Sequence, residues 1–131
     1  MTSAAFDVLG IGNAIVDVIT HADDSFLTKH ALVKGSMTLI DEARAETLYG
    51  AMGPGVEISG GSCGNTIAGV ASFGGKGAYV GKVRNDQLGN VFGHDLRATG
   101  VTFTTAQATE GPATARCLIL VTPDAQRTMN T

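Results

Sequence analysis

Apolar residues fall into short runs separated by glycines and acid-led polar stretches. Residues 6–12 (FDVLGIG) form an apolar run ending in a tight turn, which predicts a short buried strand. Residues 13–20 are rich in β-branched side chains and predict a second strand. Asp23 and Asp24 then lead into a short helix over 25–30, with Lys29 and His30 at its negative end. A strand is predicted at 36–40. Asp41 caps a helix over 42–52 made largely of good helix formers, and Gly-Pro-Gly at 53–55 stops it.

The alternation continues. A short strand at 56–59 is broken by Gly60 and Gly61, and Ser62 is the expected N-cap of a helix over 63–73 with Ile67, Val70, Ala71 and Phe73 on its apolar face. A strand follows at 78–83. Asp86 caps a helix over 87–98 that presents Leu88, Val91, Phe92 and Leu96 on one side, and Gly100 ends it. Strands are predicted at 101–105 and 115–121, then a turn at 123–126 and the start of another strand at 127–131. Strands alternating with helices predict an α/β domain with a largely parallel sheet covered by helices on both faces. No repeat or interdomain linker divides the 131 residues. The last strand reads as half-built, as if the natural polypeptide continued.

Composition narrows the function. Nine Lys and Arg against twelve Asp and Glu give a net charge of −3, and there is no Trp. Both facts argue against nucleic acid as a partner, which calls for a basic face or stacking platforms. Two cysteines make neither a disulfide framework nor a zinc site. No apolar run approaches the roughly 20 residues that span a bilayer. The N-terminus lacks the basic start and apolar stretch of a signal peptide, so a soluble cytoplasmic protein without membrane partners is expected. The 18 glycines sit singly or in pairs at the ends of apolar segments, where turns and close backbone approaches are made.

The densest candidate for chemistry is SGGSCGN at 59–65, a strand-to-helix junction. Its glycines let a ligand approach the backbone, the helix start offers unpaired N–H groups, and Asn65 both donates and accepts. A tight turn without a ligand explains the same glycines. Gly10 and Gly12 begin like a dinucleotide fingerprint, but the third glycine is absent and a strand follows where the fingerprint needs a helix. Asp17, between Val16 and Val18, is expensive to bury unpaired. Two accounts stand: an exposed edge-strand carboxylate, or, with Asn13, a grip on polyol hydroxyls. His21, His30 and His94 have no metal-ligand spacing and read as surface residues. Cys63 reads as a small helix-start residue rather than a nucleophile, and Cys117 as core.

Several motifs in order carry a resemblance over nearly the whole chain: LGIGNAIVD at 9–17, GGSCGN at 60–65, GKVRNDQLG at 81–89 and PDAQRT at 123–128. The chain resembles the N-terminal part of the ribokinase-like (PfkB) carbohydrate and nucleoside kinases. With Phe26, Leu27 and LVKGSM at 32–37 it looks nearest the adenosine kinase branch. The resemblance implies half of a ribokinase-like α/β core plus a small β-sheet lid, drawn from strands at about 13–20, 36–40, 101–105 and 115–121, with Gly60 and Gly61 as the joint. It implies that Asn13 and Asp17 bind sugar hydroxyls, that Gly61, Gly64 and Asn65 complete the pocket, and that Met37 and Leu39 face the aglycone or base. Arg127 resembles a lid arginine that meets the transferred phosphate.

The activity implied is ATP-dependent phosphorylation of a primary hydroxyl on a nucleoside or sugar, with Mg²⁺ screening the phosphates. The family's Gly-Ala-Gly-Asp motif, which carries the catalytic base, is not in this sequence. The ATP loops likewise belong to the family's C-terminal half. The chain is therefore expected to hold the acceptor-binding half and to be inactive alone. For the lid the resemblance implies one of two roles, pairing two copies as a homodimer or closing over substrate in a monomer. A non-catalytic ligand-binding or interaction module keeping the half-fold is the competing class.

Overall fold

A computed structural model describes residues 4–131; part of the N-terminal segment read above for targeting, residues 1–3, lies outside them. The elements in chain order are β1 (Val8–Ile11), β2 (Ile15–His21), α1 (Asp24–Lys29), β3 (Met37–Thr38), α2 (Glu42–Ala51), β4 (Val56–Gly60), α3 (Ser62–Ser72), β5 (Gly77–Val80), α4 (Gln87–Ala98), β6 (Ala115–Val121) and β7 (Arg127–Asn130). They belong to two compact units. The first holds the described residues up to Val16 together with Ile58–Ala115, and the second holds Asp17–Glu57 and Arg116–Thr131. No helix among the described residues is long and apolar enough to cross a membrane.

In the first unit β1 and β5 pair in parallel, from Val8 opposite Gly77 to Ile11 opposite Val80. The core gathers Ile67, Val83, Leu96 and Val101 around three aromatic rings. Tyr79 lies 5.6 Å from Phe92 and 5.9 Å from Phe103, and Phe92 meets Phe103 edge-on at 5.5 Å. These tilted arrangements suit the ring quadrupoles. The segment 101–105, expected as a lid strand, makes only one bridge, Thr102 to Ala78 of β5. Val101 and Phe103 turn into the first unit's core instead, so the segment serves that core.

The second unit is built on a five-stranded sheet in the order β3-β7-β6-β2-β4. It is mixed: β3 and β7 run parallel, while β6 and β7 run antiparallel. The half-built strand expected at 127–131 is in fact an interior one, paired on both sides. Val18, Leu27, Leu48, Leu118 and Leu120 form this unit's core.

Three helices start as the sequence indicates. The Asp23, Asp41 and Asp86 carboxylates accept from the backbone N–H groups of Phe26, Arg44 and Gly89, at 2.7–2.8 Å. The fourth, α3, differs. Ser62 is its first helical residue, and the cap is Gly61, at φ +82°, with no side-chain hydrogen bond. A left-handed φ is strained for any residue with a Cβ. Phe73, expected on the apolar face of this helix, is 95% exposed just past its end.

Candidate functional site

In the first unit the C-terminal ends of β1 and β5 meet the N-terminus of α3. The approach is possible because Gly10 and Gly12 lack side chains. A Cβ on Gly10 would lie 2.5 Å from Ile67 Cγ1, and one on Gly12 would lie 2.6 Å from Cys63 Cβ. Real Cβ atoms do not come so close. The glycine pair that begins like a dinucleotide fingerprint is thus accounted for by helix packing alone. The Gly12 N–H donates to the Val80 carbonyl at 3.2 Å, which fixes the chain just before Asn13.

Asn13 is exposed, and its carbonyl oxygen lies 3.0 Å from where a Cβ on Gly61 would stand. Gly64 is buried on the first turn of α3, where an added Cβ would only touch the Phe92 ring at 3.9 Å. Asn65 is exposed on the same turn, its N–H donating to the Gly61 carbonyl at 2.9 Å. The structure therefore places Asn13 beside Gly61, with Gly64 and Asn65 at the start of α3. Because Gly61 has no side chain, no cap competes for the first N–H groups of this helix, an arrangement suited to anionic or hydroxyl oxygens.

The remaining candidates lie in the second unit. Asp17 is on β2, between β6 and β4, so the edge-strand account of it does not hold. Its carboxylate is half-buried. Among the described residues it accepts no hydrogen bond and pairs with no cation. Burial raises its pKa above the usual carboxylate value. Burial also pushes the Cys117 thiol up, to about 11, with the nearby Asp17 charge adding to the effect. Cys117 is buried, as expected.

Met37 stands opposite Met129, and Met129 opposite Ile119. Residues paired across strands project to the same face, so these three form one apolar row. Met37 and Leu39 are exposed, at 58% and 79%. Arg127 is exposed at the start of β7, opposite Val121 and one row beyond. Sequence reading missed Met129 and Ile119, whose place beside Met37 depends on strand register.

Among the described residues no group of three or more His, Cys, Asp or Glu could hold a metal ion. The Mg²⁺ that the family resemblance implies is placed by that resemblance mainly with the C-terminal half, and the described residues offer no such group for it. In the turn before β5 the Lys76 N–H donates to the Asp7 carboxylate at 2.8 Å, and Gly77 enters the strand.

Comparison with known proteins gives a consistent picture. Residues 33–131 match the pfkB family carbohydrate kinase description. An adenosine kinase from Sinorhizobium meliloti is similar at 59% identity and TM-score 0.85, over 97% of this chain and 39% of that one. A probable sugar kinase from Rhizobium etli is similar at 55% identity and TM-score 0.84, over 95% of this chain and 38% of that one. The adenosine kinase from Schistosoma mansoni, in complex with adenosine, is similar at 27% identity and TM-score 0.78, over 94% and 36%. The chain thus spans about two-fifths of the length of these structures. Among curated proteins there is no match.

Proposed function

Since the chain belongs to the pfkB family of carbohydrate kinases, we propose that it carries the acceptor-binding half of an ATP-dependent kinase that phosphorylates a primary hydroxyl of a nucleoside or sugar. The observation that carries this reading is Asp17. A half-buried carboxylate with its acceptor capacity unspent is costly for a fold to keep. It is well suited to accept hydrogen bonds from two neighbouring sugar hydroxyls, and such charge-assisted bonds are stronger than neutral ones. In the first unit, Asn13 and Asn65 are themselves suited to hydrogen-bond sugar hydroxyls. The uncapped start of α3 adds backbone N–H groups. The apolar row of Met37, Met129 and Ile119 offers a flat surface for a base or other aglycone. In this reading the five-stranded sheet acts as the lid and Arg127 meets the transferred phosphate.

Nucleosides are favoured over simple sugars by the adenosine kinase likeness and by that apolar row. ATP supplies the phosphoryl group, and the residues that bind it and Mg²⁺ are assigned outside this chain. The test uses the full-length protein with ATP, Mg²⁺ and a panel of adenosine, other nucleosides and free sugars. Acceptor-dependent ADP formation, with adenosine or a related nucleoside giving the highest kcat/KM, is the expected result. Acceptor binding without turnover would favour a binding module instead.

A further inference from the structure

The first unit contains one polar group that the acceptor reading leaves without a task. The Tyr79 residue is only 2% exposed, and among the described residues its buried hydroxyl has no hydrogen-bond partner. Its pKa is pushed up to about 12, by burial first and then by the neighbouring Cys63, so it stays a neutral O–H donor. A buried hydroxyl without a partner costs desolvation free energy, and a phenylalanine here would avoid that cost. Tyr79 already has its apolar partners in Phe92 and Phe103, so packing does not account for the oxygen.

The position of the hydroxyl is informative. A Cβ on Gly12 would lie 3.6 Å from the Tyr79 oxygen and 3.2 Å from Cys63 Sγ. A Cβ on Gly81 would lie 2.9 Å from that same oxygen and 2.8 Å from the Gly12 carbonyl oxygen. Two glycines thus leave clear the space between the phenol and the Gly12 carbonyl. Gly12 immediately precedes Asn13. Its N–H is held by Val80, whereas among the described residues no backbone N–H of a turn or loop donates to its carbonyl.

We propose that Tyr79 is a positioning residue for the acceptor site. Its hydroxyl is the donor for the Gly12 carbonyl through one bridging water, and this link sets the peptide that presents Asn13. The proposal rests on the acceptor reading given above. It adds a buried residue that touches no substrate and acts through the backbone of Gly12.

The experiment compares the full-length parent with Tyr79→Phe, a substitution that keeps the ring and removes only the oxygen. Steady-state kinetics are measured with adenosine and ATP, alongside thermal unfolding and amide hydrogen exchange. A positioning role predicts about a tenfold rise in adenosine KM, an unchanged ATP KM and at most a small fall in Tm. It also predicts faster exchange in a peptide covering residues 12–14 and no change in one covering α4. Equal effects on both substrates, or unaltered exchange at 12–14, would overturn it. If the parent itself transfers no phosphoryl group, the kinase reading fails, while the exchange comparison still decides the role of Tyr79.

Discussion

Gly12 and Cys63 are in such close contact that a single added methyl group could not be housed between them. The Cβ of an alanine at 12 would stand 2.6 Å from the Cys63 Cβ. Gly12→Ala should therefore force β1 and α3 apart, at a cost of about 1–3 kcal/mol, the usual range for overpacking. Cys63→Gly removes the opposing atom, so the double variant should lose less than the sum of the two single losses. Urea unfolding of the four proteins gives the coupling energy. Strict additivity would mean that the two residues do not meet.

Asp86 joins distant parts of the first unit. Its carboxylate caps α4 at Gly89 and also accepts from the Thr114 N–H at 2.9 Å and the Thr114 hydroxyl at 2.7 Å. The same hydroxyl accepts from the Arg84 N–H at 2.9 Å. Burial alone would raise the Asp86 pKa, but the bonds from Thr114 and Gly89 prevail and hold it below the ordinary value. Asp86→Ala should cost about 2 kcal/mol, combining a lost cap with a buried Thr114 left short of a partner. Asp86→Asn should cost less. Because the folded pKa is depressed, this contribution is present above the unfolded carboxylate value and fades as pH falls through the folded one. The parent and Asp86→Ala should therefore converge in stability on acidification, as followed by denaturant midpoints.

Much of this was legible in the chain itself. The Asp23, Asp41 and Asp86 caps were readable because capping is local: an acid, then a run of helix formers. The motifs at 60–65 and 81–89 placed the glycine junction and the start of α4 for the same reason. What escaped was non-local. Ser62 looked like a cap because the sequence does not disclose that Gly61 takes φ +82°. The segment at 101–105 has strand composition, yet only Thr102 finds a backbone partner. The Met37, Met129 and Ile119 row comes from a register between residues far apart in sequence. The unpartnered Tyr79 hydroxyl likewise required the surrounding packing to be known, since a tyrosine in an apolar strand gives no sign of where its oxygen ends.

Asp17 should show opposed effects on stability and function. Its pKa is raised by burial, so between the unfolded value and the higher folded one the native state binds more protons. Stability then falls as pH rises through that window, and the cost is fully present above it. Asp17→Asn removes the charge. The variant should be more stable than the parent at about pH 7.5, and the advantage should shrink towards about pH 4, near the ordinary carboxylate value. Its acceptor kcat/KM should drop by about 100-fold, with ATP KM unchanged, because an amide replaces a charged acceptor of hydroxyl bonds. Urea midpoints at the two pH values, paired with kinetics of the full-length protein, check both halves. A variant less stable than the parent at neutral pH would contradict the assignment.

The 131-residue polypeptide studied by itself should self-associate. Leu9 and Ile11 alternate with the buried Gly10 on β1, so they share the face away from α3. Val80 stands opposite Ile11 on β5. The three are 57%, 74% and 42% exposed, too much apolar surface side by side to count as scattered exposed residues. Among the described strands, β1 also has β5 as its only partner, which leaves its other edge free for pairing. An open strand edge beside an uncovered apolar face is the combination that draws chains together. Sedimentation velocity on the 131-residue chain should give a coefficient that rises with loading concentration. Replacing Leu9 and Ile11 together by Thr places β-branched strand formers at both positions while removing apolar surface, and should hold the chain nearer to monomer. A parent that stays monomeric at every loading would show that this face is stable in water as it stands.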